Sequence, residues 1–313
     1  MNLKKRIGQL MVVGFQGLEP SDDFLKFVEE WGIGGFIFFA RNIDRAERIP
    51  QVVRRLEDAA GGPIFTSIDQ EGGLVMRILT SGSPFPGAMA LSATDDVDLT
   101  RKIHTAIGRE MRALNLNWNL APVLDINHRD NPGIGARSFG EDPERVSRFG
   151  CAAVEGLQAG GVLACAKHFP GKGHARVDSH LTLPTIPYDT ARLESFELQP
   201  FRAAIRSGVA SIMTSHVFFP AYESTPNLPA TLSKAVLTDL LRGKLGFTGL
   251  LVTDDLEMGA ITEAYGVAEA GFRSFMAGAD LLLICHDLDR ERSCAEKILD
   301  ECRHNPDVEK RIN

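Results

Sequence analysis

Short apolar runs recur along the chain, and most of them end on a polar or charged side chain. Leu10 to Phe15 is the first; Gly35-Phe36-Ile37-Phe38-Phe39 ends at Arg41-Asn42, and Pro63-Ile64-Phe65-Thr66-Ser67-Ile68 ends at Asp69. Trp118 to Leu124 ends at Asp125, Val162 to Ala166 at Lys167-His168, and Ser211 to Thr214 at Ser215-His216. Leu250 to Thr253 ends at Asp254, and Ala279 to Ile284 at Cys285-His286. Runs of this length predict buried strands. Between them lie segments of helical character: Asp44 to Ala59, Asp96 to Leu114, Asp142 to Ala159, Leu193 to Ser207, Ser233 to Leu245 and Val267 to Ala277. Ser233 is placed to cap one of these, and Gly160 and Gly278 to close two others.

Strands alternating with helices imply parallel strands joined by crossovers, and about eight such units make a (β/α)8 barrel. A doubly wound open sheet is the competing fold. The barrel is preferred because polar groups end many different strands, and a barrel gathers strand ends around one mouth. No composition shift or repeat divides the chain, so the expectation is a single α/β domain over residues 1–313, a TIM-type barrel with irregular strands. Residues from Asp287 to Asn313 read as a last surface helix with a loose end.

Composition narrows the function. A 313-residue chain with 44% hydrophobic and 24% charged residues has the make-up of a soluble globular protein. A net charge of −7 argues against nucleic acid or an anionic membrane as partner. Five cysteines without a pairing framework or metal-type spacing read as reduced thiols of a cytoplasmic protein. The basic-then-apolar start, Lys4-Lys5-Arg6 followed by Ile7 to Phe15, is short and interrupted by Gln9; it reads as a helix leading into a strand.

The densest chemistry follows the Val162 to Ala166 run. Lys167-His168-Phe169-Pro170-Gly171-Lys172-Gly173-His174 continues to Asp178-Ser179-His180, packing three histidines and three cationic side chains beside one carboxylate into fourteen residues. Gly171 and Gly173 free the backbone and Pro170 restricts its entry, so these side chains can converge. Asp178 and His180, two apart in an extended loop, project to the same side, where the carboxylate can hold one ring nitrogen and raise the imidazole pKa. A second system is Thr253-Asp254-Asp255. A carboxylate ending a buried strand is costly unless paired or employed. Alternation predicts that one of the two aspartates faces the mouth while the other points elsewhere; the preferred reading puts Asp254 at the mouth and makes Asp255 a helix cap. A nucleophilic Asp and a proton-handling loop residue are the two parts of a retaining glycosidase, in which the usual carboxylate pair stands about 5 to 5.5 Å apart.

Six segments together resemble glycoside hydrolase family 3, in its bacterial β-N-acetylhexosaminidase branch. They are Lys167-His168-Phe169-Pro170-Gly171-x-Gly173, Asp178-Ser179-His180, Ile68-Asp69-Gln70-Glu71-Gly72-Gly73, Ala121 to Asp125, Arg137-Ser138-Phe139-Gly140 and Thr253-Asp254-Asp255-Leu256-x-Met258. The resemblance implies a barrel with Asp254 as nucleophile and His180 with Asp178 as acid/base. It also implies that Asp69, Arg77, Arg137, Lys167 and His168 hold the sugar; for Arg77 and Arg137 a structural ion pair is the alternative. Lys172 stands where the branch usually has His, and Ala175-Arg176-Val177 departs from the usual loop. The expected activity is release of terminal N-acetylglucosamine from small or oligomeric substrates such as peptidoglycan fragments. Phosphorolysis is the alternative, since neutral His180 and cationic Lys172 would admit phosphate. A non-catalytic sugar-binding barrel is disfavoured by the presence of both Asp254 and His180. No cofactor is implied, and no metal, because the histidines lack a ligand motif.

Overall fold

The computed structural model describes every residue except Pro132, Asp178, His180, Leu181 and Asn313. Eight parallel strands form it: β1 (Met11–Val13), β2 (Gly35–Phe38), β3 (Phe65–Ile68), β4 (Trp118–Asn119), β5 (Leu163–Phe169), β6 (Ser211–Thr214), β7 (Leu250–Val252) and β8 (Leu282–Ile284). Neighbours run β7-β6-β5-β4-β3-β2-β1-β8. A parallel bridge from Val252 to Leu281, with the Thr253 N–H donating to the Leu281 carbonyl at 3.1 Å, joins β7 to the approach of β8. The sheet therefore curls into a nearly closed (β/α)8 barrel, where a doubly wound sheet would keep two open edges.

Strand periodicity sorts the core into two layers. Val12, Ile37, Trp118, Cys165, Met213, Val252 and Leu283 point inward and fill the barrel. Their neighbours Met11, Val13, Phe36, Phe38, Ala164, Ala166, Ile212, Leu251, Leu282 and Ile284 point outward, under the helices. The registers agree, with Val12 beside Leu283, Ile37 beside Ser67 and Met213 beside Val252. Trp118 takes its indole N–H to the Ser211 hydroxyl at 2.8 Å, so this large ring is buried without an orphaned donor.

Helix α1 (Leu3–Gly8) precedes β1, and α2 (Asp22–Trp31) and α3 (Ile49–Ala60) follow β1 and β2. Helices α4 (Ala88–Ala93) and α5 (Val97–Ala113) follow β3, α6 (Pro143–Ala159) follows β4, and α7 (Thr190–Ser195) and α8 (Gln199–Arg206) follow β5. A helix of wide, π-type turns, Ala235–Lys244, follows β6; α9 (Gly259–Thr262) and α10 (Val267–Ala277) follow β7; α11 (Leu288–His304) and α12 (Pro306–Ile312) end the chain. Helix α6 is typical of how the sequence sets these limits. The Asp142 carboxylate accepts from the Arg145 N–H at 2.8 Å, and Pro143 occupies the first turn, where its missing N–H costs nothing.

Four segments differ from the expectation. Helix α2 was not anticipated, although Ser21 caps it and Phe24, Phe27, Val28 and Trp31 bury one helical face. The stretch Leu193 to Ser207 is two helices, because the chain turns at Phe196 to Leu198 and restarts with Pro200 in the first turn of α8. Only Trp118–Asn119 of the Trp118 to Leu124 run is regular strand. Pro122 has no N–H for a ladder, yet the segment stays against β5: the Cys165 and Lys167 N–H groups donate to the Ala121 and Pro122 carbonyls at 2.8 and 3.1 Å, and the Leu124 N–H donates to the Lys167 carbonyl at 2.7 Å. The C-terminus is a packed helix, with Val308 fully buried and Arg311 donating to the Phe275 and Ala279 carbonyls. Among the described residues no helix is long and apolar enough to cross a membrane.

Candidate active site

The inward-facing layer of the barrel is the floor of a cavity of about 240 Å³, and the next inward positions along the strands are its walls. Two residues beyond Ile37, Ser67, Cys165, Val252 and Leu283 come Phe39, Asp69, Lys167, Asp254 and Cys285, all of which line it. Asp69, Lys167 and Asp254 thus reach the mouth by ordinary alternation. His168 should point outward by the same rule, but the β5–β6 register shifts between Ala166 and Phe169, and at this bulge His168 joins Lys167 in lining the cavity. Both belong to β5 itself, so the chemically dense loop begins later than the sequence suggested.

On the β3 side the charges interlock. Lys167 Nζ lies 2.7 Å from Asp69 Oδ1 and 2.7 Å from Glu71 Oε1. Arg137 donates to both oxygens of Glu71, at 2.9 and 2.7 Å, and Arg77 reaches Asp69 Oδ2 at 3.2 Å. Burial alone would raise the Asp69 pKa, but Lys167 and Arg77 outweigh it and hold the carboxyl down at about 2. Glu71 is lowered in the same way, by Lys167 and Arg137 against burial. Burial works against the Lys167 charge, yet Asp69 and Glu71 raise its pKa. Asn119 fixes the turn that carries these carboxylates, accepting from the Gln70 N–H at 3.1 Å and donating to the Gln70 carbonyl at 2.9 Å.

On the β5 side the organiser is Asp125, which is fully buried. Its carboxylate accepts from His168 Nδ1 at 2.7 Å, from the His168 N–H at 3.2 Å and from the Lys172 N–H at 2.6 Å. Burial pushes the Asp125 carboxyl up to about 6. The imidazole of His168 is pushed far down by burial and by the cations Lys172 and Lys167, so the ring is neutral. Nδ1–H then donates to Asp125, and Nε2 faces Asp254 Oδ2 at 4.0 Å. Two glycines shape the loop that follows. Gly171 takes φ 119°, a region that favours glycine, and a Cβ on Gly173 would stand 1.7 Å from the Ile126 carbonyl oxygen.

Asp254 sits between these halves. Its Oδ1 accepts from the Asp255 N–H at 2.9 Å, and its Oδ2 faces Lys172 Nζ at 3.5 Å. Burial would raise its pKa, but Lys172 and His216 outweigh that and hold the carboxyl below the ordinary value. Asp255 does not point elsewhere. Strand alternation ends at Asp254, the chain turns, and Asp255 also lines the cavity, with Oδ2 3.2 Å from His286 Nε2. Its carboxylate accepts from the Glu257 N–H at 3.1 Å rather than capping α9, whose first flanking residue is Met258. His216 does not reach the cavity; it is fully buried, with Nε2 2.8 Å from the Asp255 carbonyl.

Asp69, Arg77, Arg137, Lys167, His168 and Asp254 therefore share one cavity. Arg77 and Arg137 are both ion-paired, and both still line the cavity. Asp178 and His180 lie outside the described residues. Ser179 between them is buried, and it lines a small crevice together with Arg137 and Lys172. Sequence reasoning assigned no role to Glu71, Asp125 or His286. The first two stand within segments that carried the resemblance, but their partners are distant in sequence, 66 residues away for Arg137 and 43 for His168.

A barrel with a charged cavity at the C-terminal ends of its strands defines the class of (β/α)8 proteins whose site is built from strand ends and following loops. Residues 2–311 match the glycosyl hydrolase family 3 N terminal domain. The chain is 37% identical over 280 residues to beta-hexosaminidase A of Pseudoalteromonas piscicida, covering 83% of this chain and 47% of that protein. It superposes with a TM-score of 0.97 and 45% identity on a family 3 β-N-acetylglucosaminidase from Paenibacillus sp. FPU-7, covering 100% of this chain and 60% of that one. With β-N-acetylhexosaminidase from Beutenbergia cavernae the TM-score is 0.90 at 30% identity, over 100% and 95% of the two chains. The chain belongs to glycoside hydrolase family 3. It spans about half the length of the Pseudoalteromonas relative and three fifths of the Paenibacillus chain.

Proposed function

We propose that this chain is a retaining exo-β-N-acetylglucosaminidase acting through Asp254. The observation that carries the reading is the Asp254 carboxylate itself: cavity-lining, held ionised, with Oδ1 fixed by a backbone N–H and Oδ2 turned toward Lys172 and His168 at 3.5 and 4.0 Å. In the first step a carboxylate oxygen of Asp254 bonds to the anomeric carbon, the glycosidic C–O bond breaks, and the leaving oxygen takes a proton from His180. In the second, water attacks that carbon, gives its proton to His180, and the ester electrons return to Asp254. Asp178 holds the imidazole. The roles of His180 and Asp178 rest on the sequence motif.

Asp69 accepts hydrogen bonds from sugar hydroxyls, while Lys167, Arg77 and Arg137 donate to them and neutral His168 offers Nε2. A cavity of about 240 Å³ suits one sugar ring, which supports removal of a terminal residue. The names of the relatives support N-acetylglucosamine as that residue. Family resemblance extends the reading to peptidoglycan fragments in the cytoplasm and to residues 1–313 acting as one catalytic unit. A panel of nitrophenyl β-glycosides tests it: the N-acetylglucosaminide should turn over, and Asp254→Ala should abolish turnover. Full activity in that variant ends the reading. Lys172 Nζ, 3.5 Å from Asp254, favours phosphorolysis as a second reading, because it could draw phosphate to the water position. Sugar 1-phosphate formed in phosphate buffer would distinguish it.

A further inference from the structure

Lys172 is fixed to an unusual degree for a lysine on a loop. Its N–H donates to Asp125 Oδ1 at 2.6 Å, and Asn131 Nδ2 donates to the Lys172 and Gly173 carbonyls at 2.8 and 3.1 Å. Gly173 packs against the Ile126 carbonyl with no room for a Cβ, so the backbone cannot slide. The residue is 8% exposed, and its ammonium lies 3.5 Å from Asp254 Oδ2. A cation at that distance acts differently on the two halves of a double displacement. When Asp254 attacks, its charge disappears into an ester and the ammonium loses its partner, which opposes the step. When the ester breaks, the charge returns and the ammonium stabilises it.

We infer that Lys172 serves the second half-reaction, making Asp254 a better leaving carboxylate when the glycosyl ester is cleaved. The inference rests on the retaining mechanism proposed above. In the balanced step, water oxygen bonds to the anomeric carbon, its proton passes to the general base, and the C–O bond to Asp254 breaks with the electron pair going to the carboxylate beside Lys172.

The test uses a dinitrophenyl N-acetyl-β-glucosaminide, whose good leaving group makes ester breakdown rate-limiting, together with a 5-fluoro N-acetylglucosaminyl fluoride that traps the ester. Lys172→Met should lower kcat roughly tenfold to thirtyfold and KM by at least as much, so that kcat/KM is held or raised. It should show a burst of dinitrophenol, and its trapped adduct should reactivate more slowly by the same factor. Lys172→Arg, which keeps the charge, should restore most of the reactivation rate. The acid limb of kcat/KM in Lys172→Met should move to higher pH, since Asp254 loses a cation that holds its carboxyl down. A merely structural role would lower kcat/KM without a burst, and that result overturns the inference, as does reactivation of the Lys172→Met adduct at the wild-type rate. If wild-type protein forms no adduct on Asp254, the retaining mechanism falls and this inference with it. An adduct that forms in both proteins and reactivates equally removes only the role of Lys172.

Discussion

Replacing Asp69 by asparagine probes the charge lattice at its centre. The carboxylate lies between Lys167 Nζ at 2.7 Å and Arg77 at 3.2 Å, and its pKa falls from the ordinary 3.8 to about 2. A drop of that size corresponds to about 2 kcal/mol of folded-state stabilisation, at about 1.4 kcal/mol per unit. Because the folded pKa is the depressed one, this stability is fully present above pH 3.8 and is lost as pH falls through 2, with about half gone by pH 3. The asparagine side chain cannot titrate, and its amide can turn a donor toward two cations. Urea unfolding followed from pH 7 to pH 3 in both proteins gives a difference curve that cancels the carboxylates outside the Asp69–Glu71 lattice. The gap should be about 2 kcal/mol at pH 7 and about 1 kcal/mol at pH 3. If Asp69 accepts from a sugar hydroxyl as proposed, its loss should also cost roughly tenfold to a hundredfold in kcat/KM. A difference curve flat across that range would refute the claim that Lys167 and Arg77 depress this carboxyl.

Glu71→Gln replaces a two-pronged Arg137 pair by a single neutral acceptor, and it should lower stability by about 2 kcal/mol in urea unfolding at pH 7. The deficit should shrink as pH falls below the ordinary 4.5 of a glutamate, because the folded Glu71 pKa is the lower one. Gly173→Ala forces a methyl against the Ile126 carbonyl, so the loop must shift; kcat/KM should fall about a hundredfold, for a stability loss of roughly 1–3 kcal/mol in the same assay. Gly62→Ala, where nothing lies within 4 Å of the added atom, should change kcat/KM by less than about twofold and serves as the control.

The parts of the site that were legible in the sequence are those that strand geometry alone delivers. Asp69, Lys167 and Asp254 each follow an inward-facing residue by two positions, so reading polar residues at the ends of apolar runs finds them. His168 needed a bulge in β5, and Asp255 needed the turn after β7; no period-two reading contains either. Helix α2 carries its signal in a different period: Phe24, Phe27, Val28 and Trp31 have helical spacing, which a reading of strand ends does not contain. Glu71 and Asp125 were illegible for a different reason. Their work is done on Arg137, His168 and Lys172, and those pairings exist only once distant strands stand side by side.

That distinction also separates the carboxylates from one another. Asp69 receives an ammonium at 2.7 Å, Glu71 a guanidinium and an ammonium, both at 2.7 Å, and Asp125 an N–H at 2.6 Å together with an imidazole at 2.7 Å. Each is anchored by close donors and has little freedom to move toward carbon. On Asp254, by contrast, the described residues place a close donor on Oδ1 alone; the groups facing Oδ2 stand at 3.5 and 4.0 Å, too far to occupy its lone pairs, and the nearer of them is the ammonium that keeps it ionised. A carboxylate must be charged and accessible to act as a nucleophile, and these two requirements oppose each other in a buried site, since the donors that stabilise the charge also block the oxygen. An ammonium at 3.5 Å resolves the conflict through field rather than contact, with an interaction that remains strong at low effective dielectric. Among Asp69, Glu71, Asp125 and Asp254, donor distance singles out Asp254 as the carboxylate whose charge is supported from a distance, which supports the nucleophilic role proposed for it.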